Sequence, residues 1–176
     1  MGMGQAGVLA VAAVLTGLMA GIYAAFSVAV MPGLARVDDA AFTRVMRSVN
    51  VRILNGWFLL AFLGAAPAAA AAALLHRGDP PVAVWAGAGC ALYAATVAVT
   101  FRVNVPLNDA LEAAGAAAGP GVAGLTENGP GVAGLAEARE RFEARWTRWN
   151  AVRAVLATAA LGCLAVALLL HGDAGS

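Results

Sequence analysis

Four long apolar runs separated by three polar connections make up the chain. The runs cover residues 8–31, 56–75, 82–101 and 155–170, and the first contains no charged side chain. A helix needs about 20 apolar residues to cross a bilayer core, and it satisfies its own backbone groups there. The pattern therefore predicts an all-α integral membrane four-helix bundle in which residues 1–176 form a single membrane domain.

The connection between the first and second runs has a different pattern. Apolar residues recur in it at three- and four-residue steps, which is typical of an amphipathic helix over residues 37–55. These residues are Phe42, Val45, Met46, Val49 and Ile53. Asp38 or Asp39 could cap this helix. We expect it to lie at the membrane surface or to fold back over the bundle.

The third connection contains a segment rich in Gly, Ala and Pro, over about residues 113–136. The sequence Gly-Pro-Gly-Val-Ala-Gly-Leu occurs at 119–125 and again at 129–135. Long surface loops accept insertions at a small entropic cost, so this tandem duplication is interpreted as a flexible insert. No Lys followed by Ser or Thr accompanies the glycines, which excludes a phosphate-binding loop of the P-loop type.

A proline follows the third apolar run closely. Pro106 has no backbone N–H and disfavours helical geometry at Val105. We therefore expect the third span to break near Asn104. A short new helix would begin at Pro106, with Asn104 or its neighbour as its cap.

Composition narrows the class of protein. The chain is 61% hydrophobic and 12% charged, against about 45–50% and about 25% in a soluble domain. This composition excludes a soluble enzyme and a disordered chain. Cys90 and Cys163 lie far apart inside apolar runs, which favours buried side chains over thiol–disulfide chemistry.

Cofactor and nucleic-acid partners are not expected from this sequence. The two histidines, His76 and His171, lie at the ends of spans, so paired axial ligands for haem are not predicted. The sequence shows no metal motif, and we expect no metal and no cofactor. The net charge of +1 gives no general attraction to nucleic acid.

Arginine placement predicts an orientation. All eleven basic residues are Arg, and ten of them lie in or beside the first and third connections. The positive-inside rule places these two connections in the cytoplasm and both termini outside. We therefore expect a multi-pass protein of the cell membrane.

One helical face before the fourth span concentrates aromatic and polar side chains. Phe142, Trp146, Trp149 and Arg153 recur at steps of four, three and four, with Asn150 beside them. An aromatic interface belt with topology-setting arginines explains the tryptophans. It explains Arg153 less well, because a charge at the mouth of a span is costly unless it has a partner. A role for Arg153 in a site remains the second interpretation.

Further polar side chains are expected on the same side of the membrane. They are Asn104 and Asn108 around Pro106, and Asn50, Asn55 and Trp57 at the start of the second span. In the first span Thr16, Tyr23 and Ser27 share a face, and Tyr23 could donate a hydrogen bond to a ligand. This convergence predicts a site at one end of the bundle.

Three motifs together resemble one family of proteins. They are Ser-Val-Asn-Val-Arg-Ile-Leu-Asn-Gly-Trp-Phe at 48–58, Asn-Val-Pro-Leu-Asn at 104–108 and Arg-Trp-Thr-Arg-Trp-Asn-Ala-Val-Arg at 145–153. The chain is similar to the anthrone-oxygenase-like family of small membrane proteins, formerly a domain of unknown function. The resemblance implies a four-helix membrane protein without a firmly attached cofactor. Fungal relatives are associated with the oxidation of anthrones to anthraquinones during aromatic polyketide synthesis.

The resemblance suggests roles for the candidate residues. The expected activity is the oxidation of a hydrophobic aromatic small molecule, anthrone or quinol-like, with oxygen. Arg153, Asn104 and Asn108 would stabilise a developing oxyanion. Seven residues would bind the substrate, namely Tyr23, Asn50, Asn55, Trp57, Trp146, Trp149 and Asn150. No general base is evident, and Asp109 is the nearest carboxylate by sequence.

Two further functions stay open at this point. A non-catalytic membrane binding or assembly subunit is suggested by the small residues Gly17 and Gly21, which permit close helix approach in a homo-oligomer or with a partner. A small-molecule transporter ranks last, because four spans would require a dimer and no charge lies in the middle of a span.

Overall fold

The computed structural model of the chain describes residues 2–118 and 130–173. Within these residues the chain is helical. Its elements are α1 (Met3–Ala25), π1 (Phe26–Val30), α2 (Met31–Leu34), α3 (Asp39–Ile53), α4 (Gly56–Leu75), α5 (Pro80–Val99), π2 (Thr100–Asn104), α6 (Val105–Ala117) and α7 (Pro130–Asp173). The elements π1 and π2 are single wide turns that join the helices on either side.

Four helical segments are long and apolar enough to cross a membrane. They are Met3–Leu34, Gly56–Leu75, Pro80–Ala117 and Gly134–Asp173. Helix α1 packs on α4 and α7, and α5 also packs on α4 and α7, so the four segments surround one core. The predicted all-α membrane four-helix bundle is confirmed.

Small side chains bring the spans close together. Alanines such as Ala12, Ala69 and Ala86 are completely buried between the helices. A Cβ on Gly89 of α5 would lie only 3.0 Å from Cγ of Leu164 and 3.1 Å from the carbonyl oxygen of Ala160, both on α7. The close α5–α7 contact therefore requires glycine at position 89, and small residues of this kind are common where membrane helices cross closely.

Helix α3 covers one end of the bundle. The Asp38 carboxylate caps it by accepting a hydrogen bond of 2.7 Å from the Ala41 N–H. On its inner face Phe42 and Met46 are completely buried against Leu111 of α6 and Phe142 of α7. Of the two expected positions for this amphipathic helix, the structure has the one folded back over the bundle.

Arg139 fastens the segment that leads from α2 into α3. Its guanidinium donates to the carbonyl oxygens of Leu34 and Val37, and it also pairs with Asp39 and Glu143. The carbonyls at a helix end lack intrahelical donors, so an arginine can satisfy them. This contact fixes how α3 lies on the bundle.

The expected break in the third span is wrong. The helix continues through π2 into α6, and Asn104 has helical φ and ψ of −72° and −39° and caps nothing. The Val105 N–H bonds to the Thr100 carbonyl five residues earlier, which widens the turn that precedes Pro106. The same arrangement occurs in π1, where the Met31 N–H reaches the Phe26 carbonyl before Pro32. A wide turn thus accommodates each proline without ending the helix.

The expected flexible insert overlaps two helices. Residues 113–117 belong to α6, and residues 130–136 belong to α7. The central part of the insert, residues 119–129, lies outside the described residues, and it includes the whole first copy of the duplication.

Candidate functional site

A cavity of about 490 Å³ lies between the transmembrane core and the covering helix α3. Side chains from α1, π1, α3, α4, π2, α6 and α7 form its wall. This volume falls within the range of about 300–1,000 Å³ that is usual for small-molecule sites. Every spanning segment contributes, so the cavity belongs to the fold as a whole.

Aromatic rings form much of this wall. Phe58 stacks on Phe62 with ring centroids 5.6 Å apart, and Phe62 contacts Phe101 of π2 at 5.9 Å. On the opposite side Phe26 of π1 lies 5.6 Å from Trp146 of α7. Flat apolar surfaces of this kind suit a planar aromatic ligand.

Arg153 is the buried cation of the cavity, with 6% of its surface exposed. Its guanidinium donates to Oγ1 of Thr100 at 3.2 Å and to Oδ1 of Asn150 at 2.9 Å. It also lies over the rings of Tyr23 and Trp146, at 4.5 and 5.5 Å from their centroids. All these partners are neutral, and no carboxylate of the described residues forms a salt bridge with it.

Asn150 holds the buried arginine in place. Its amide nitrogen donates to the Tyr23 carbonyl oxygen at 2.9 Å and to Ser27 Oγ at 2.8 Å. These two bonds orient the amide so that its oxygen faces Arg153. The side chain therefore links α1 and π1 to the cation on α7.

Three buried polar atoms of residues that line the cavity make no hydrogen bond of good geometry within the described part of the chain. They are the Tyr23 hydroxyl, Asn104 Oδ1 and Arg153 Nε. Buried polar groups are normally satisfied, because an unpaired one costs about 1–3 kcal/mol. One hydroxyl, one acceptor and one cationic donor thus lie buried behind the cavity wall with unused hydrogen-bonding capacity, and a bound molecule would reach them only after a small side-chain movement.

Asn108 positions the aromatic wall at Trp146. Its Oδ1 accepts a hydrogen bond of 2.8 Å from the indole Nε1. Asn104, one turn earlier, donates to the Trp146 carbonyl oxygen at 3.5 Å. The two asparagines on either side of Pro106 therefore both bind the same residue of α7.

Comparison with known proteins identifies the family. The sequence model of a family described as anthrone oxygenase matches residues 51–163. The chain belongs to the anthrone oxygenase family. Searches of curated proteins and of solved structures found no match. The region that matches the anthrone oxygenase family includes Asn104, Trp146 and Arg153, whereas Tyr23 on α1 precedes it.

The fold of this anthrone oxygenase family member brings seven of the ten predicted site residues to the cavity. They are Tyr23, Asn50, Asn104, Asn108, Trp146, Asn150 and Arg153. They come from α1, α3, π2, α6 and α7, so their proximity results from the packing of distant segments.

Three predicted site residues do not line the cavity. Asn55 caps α4, accepting from the N–H groups of Trp57 and Phe58. Trp57 is 83% exposed beside this cap. Trp149 is half-buried at the edge of the face formed by Phe142, Trp146 and Arg153. The part of these three residues in a site stays a prediction that this cavity does not include.

Sequence reasoning missed several residues that line the cavity. They are Thr100, Phe26, Phe58, Phe62 and Phe101. The four-residue step from Phe58 to Phe62 gave a signal, since it places both rings on one face of α4. Thr100 gave none, because the wide turn that directs its hydroxyl toward Arg153 is not visible in the sequence.

Carboxylates occur at the exposed end of the cavity. Asp109 and Glu112 on α6 line it there. Both oxygens of Glu112 accept from Arg47 of α3, and this contact raises the pKa of the Arg47 guanidinium. No group of three or more His, Cys, Asp or Glu able to hold a metal occurs among the described residues.

Proposed function

We propose that this member of the anthrone oxygenase family oxidises a planar, hydrophobic hydroxyaromatic or anthrone-like molecule with oxygen. The observation that carries the proposal is the buried guanidinium of Arg153, which has only neutral partners and faces a cavity with aromatic walls. A buried charge without a counter-ion is costly, so an anionic ligand would relieve the cost.

The chemistry of an anthrone fits this arrangement. Loss of a proton from its methylene group gives an enolate whose negative charge lies on oxygen and on the ring carbon. Arg153 would stabilise the oxygen anion more strongly than the neutral ketone, which favours formation of the enolate. The Tyr23 hydroxyl and Asn104 Oδ1 would complete the polar contacts.

The overall reaction balances with one molecule of oxygen. The enolate gives up electrons to O₂, the methylene carbon loses both hydrogens and becomes a carbonyl, and the second oxygen atom leaves as water. The phenylalanine rings and Trp146 would hold the tricyclic system flat and keep bulk water away from the enolate.

The orientation in the membrane also remains a proposal. We propose that the end of the bundle carrying α3 and the cavity faces the cytoplasm, because ten of the eleven arginines lie at this end or beside it. A fluorescent protein fused to the carboxyl terminus should then be dark or protease-accessible from outside the cell.

Oxygen consumption by the purified protein tests the function. Wild type in lipid nanodiscs should convert anthrone to anthraquinone faster than empty nanodiscs, while Arg153→Met should lose about 10²–10³-fold of this rate. Arg148→Met, which changes an exposed arginine on the same helix, is the control and should retain the wild-type rate.

Other outcomes of this assay count against the proposal. Equal rates for wild type and empty nanodiscs would exclude catalysis on this substrate class and favour a binding or assembly subunit. Gly17 packs inside the same chain, because a Cβ there would lie 3.6 Å from Leu161. Gly21 faces open space, so of the two glycines it is the one that could contact a partner.

A further inference from the structure

The wall of the cavity is unevenly exposed. Its inner part, with Tyr23, Asn104 and Arg153, is buried. Between α4 and π2 its rim consists of exposed apolar side chains, with Leu63 and Phe101 each 55% exposed and Leu59 partly exposed. The cavity therefore has an apolar opening between α4 and π2, which we call the lateral slot.

Helix packing explains why the slot exists. Helix α4 packs on α1 and α5, whereas π2 packs on α5 and α7, and α6 packs on α7 and α3. Within the described residues α4 makes no extensive contact with π2 or α6. Across this gap the buried Phe62 ring contacts the Phe101 ring, with centroids 5.9 Å apart. Beyond the last residue of α5, α4 and π2 therefore diverge, and the slot lies between them.

The slot lies at membrane depth. Leu63 is seven residues after the first residue of α4, which places it about 10 Å along the helix axis at 1.5 Å per residue. The Phe62–Phe101 contact puts Phe101 at the same level. Because α4 is 20 residues long and spans the bilayer core, this part of the slot faces acyl chains.

The end of the cavity beside α3 is also partly open, since Val51 and Leu54 line it and are 70% and 63% exposed. Helix α3 lies across it, with Phe42 and Met46 packed onto Leu111 of α6. The Arg47–Glu112 ion pair joins α3 to α6 beside the cavity, and Gly115 leaves just enough room for the arginine side chain. A ligand coming from water would pass beside this ion pair or beside Val51 and Leu54.

We propose that the lateral slot, bordered by Leu59, Leu63 and Phe101, admits a lipid-dissolved planar aromatic molecule to Arg153 directly from the bilayer. The proposal rests on the ligand site proposed above and adds its route of access. An apolar polycycle concentrates in the acyl-chain region, so this route spares it a return to water.

Exchange kinetics with anthraquinone as the probe test the route. The protein is placed in nanodiscs with Trp57, Trp85 and Trp149 changed to Phe, so that Trp146 in the cavity wall is the native reporter. Quenching of its fluorescence follows binding in a stopped-flow instrument. Leu63→Trp narrows the slot. Leu60→Trp is the matched control, because Leu60 is 56% exposed on the same helix but does not line the cavity.

A blocked route slows exchange without changing the site. We expect Leu63→Trp to lower both the association and the dissociation rate at least about tenfold while the Kd stays within about threefold. Leu60→Trp should keep both rates within about twofold of wild type. Leu59→Ala, which widens the slot at its rim, should raise both rates and provides a second, opposite variant.

The failures of the two proposals are distinguishable. If wild type binds anthraquinone but Leu63→Trp and Leu59→Ala exchange it at the wild-type rates, the lateral route is wrong and the site stands. Faster exchange in Glu112→Gln alone would also overturn the lateral route and indicate access from water. If wild type shows no quenching, the ligand site itself is refuted, together with its route.

Discussion

Asn150 and Arg153 form a hydrogen bond of 2.9 Å across one turn of α7, with the amide oxygen accepting from the guanidinium. The same amide donates through its nitrogen to the Tyr23 carbonyl and to Ser27. An asparagine can do both at once, because its amide carries an acceptor and two donors. The cation therefore keeps its full charge for a ligand while its position is fixed.

Replacing the Asn150 amide by a carboxylate tests whether the free positive charge of Arg153 is what binds an anionic ligand. Asn150→Asp gives Arg153 a counter-ion and removes the donors to Tyr23 and Ser27. We expect the affinity for an anionic aromatic ligand to fall about tenfold or more, because the guanidinium is already neutralised. Titration with a hydroxyanthraquinone at a pH that ionises it measures this effect.

The neutral control is Asn150→Gln, which keeps an amide on a longer side chain. It should retain more affinity for the ionised ligand than Asn150→Asp. If the aspartate variant binds the anion as tightly as wild type, Arg153 does not receive the anion.

Removing the hydrogen bond between Asn108 and Trp146 should lower the stability of the protein and release the indole ring from its orientation. Asn108→Leu leaves the indole N–H without its 2.8 Å partner in a half-buried position, and we expect about 1–3 kcal/mol less free energy of unfolding. A red-shift or broadening of tryptophan emission and a lower Tm would report it. Gln5→Leu, which removes the 2.8 Å bond to the Leu75 carbonyl at the other end of the bundle, should leave ligand binding unchanged.

Two glycines on α5 provide a matched test of helix packing. A Cβ on Gly89 would press on Leu164 and the Ala160 carbonyl, whereas a Cβ on Gly87 would meet nothing within 4 Å. Gly89→Val should therefore cost about 1–3 kcal/mol through overpacking of the α5–α7 contact. Gly87→Val should change Tm little, and similar Tm values for the two variants would contradict the described packing.

Gly115 and Arg47 predict a coupling between α6 and α3. A Cβ on Gly115 would lie 2.5 Å from Cδ of Arg47, so Gly115→Ala must displace the arginine from Glu112. Glu112→Gln should destabilise the wild type by at most about 1 kcal/mol, because the pair is half-exposed. In the Gly115→Ala background the same change should have no effect, and a double-mutant cycle of thermal unfolding measures the difference.

Apolar periodicity and Arg placement sufficed to predict the spans and α3, because burial and capping follow local rules at Asp38, Phe42 and Met46. The two wide turns were not predictable. Pro32 and Pro106 have no backbone N–H to donate, but a kink, a helix break and a wide turn can each accommodate a proline, and the sequence does not distinguish them.

Residues of the cavity were predictable where the sequence indicated both the end of the bundle and the helix face on which they lie. Arg153 and Asn104 both line the cavity, because each lies at the end of a span on the same side of the bundle. Trp149 did not, since it differs from Trp146 by three residues and falls at the edge of the buried face. Asn55 caps α4 and does not line the cavity, and a capping asparagine and a ligand-binding one have the same sequence signal at a helix start.

The wide turns π1 and π2 also make the cavity sensitive to the number of residues in the helices. Each contains one residue more than an α-helical turn, which offsets the angular phase of the helix by about 100°. Deleting one residue from Phe26–Val30 would rotate Tyr23 and Phe26 relative to Pro32, and a deletion in Thr100–Asn104 would do the same to Thr100 relative to Asn108. The architecture around Arg153 thus tolerates exchange of many single side chains better than the loss of one peptide unit.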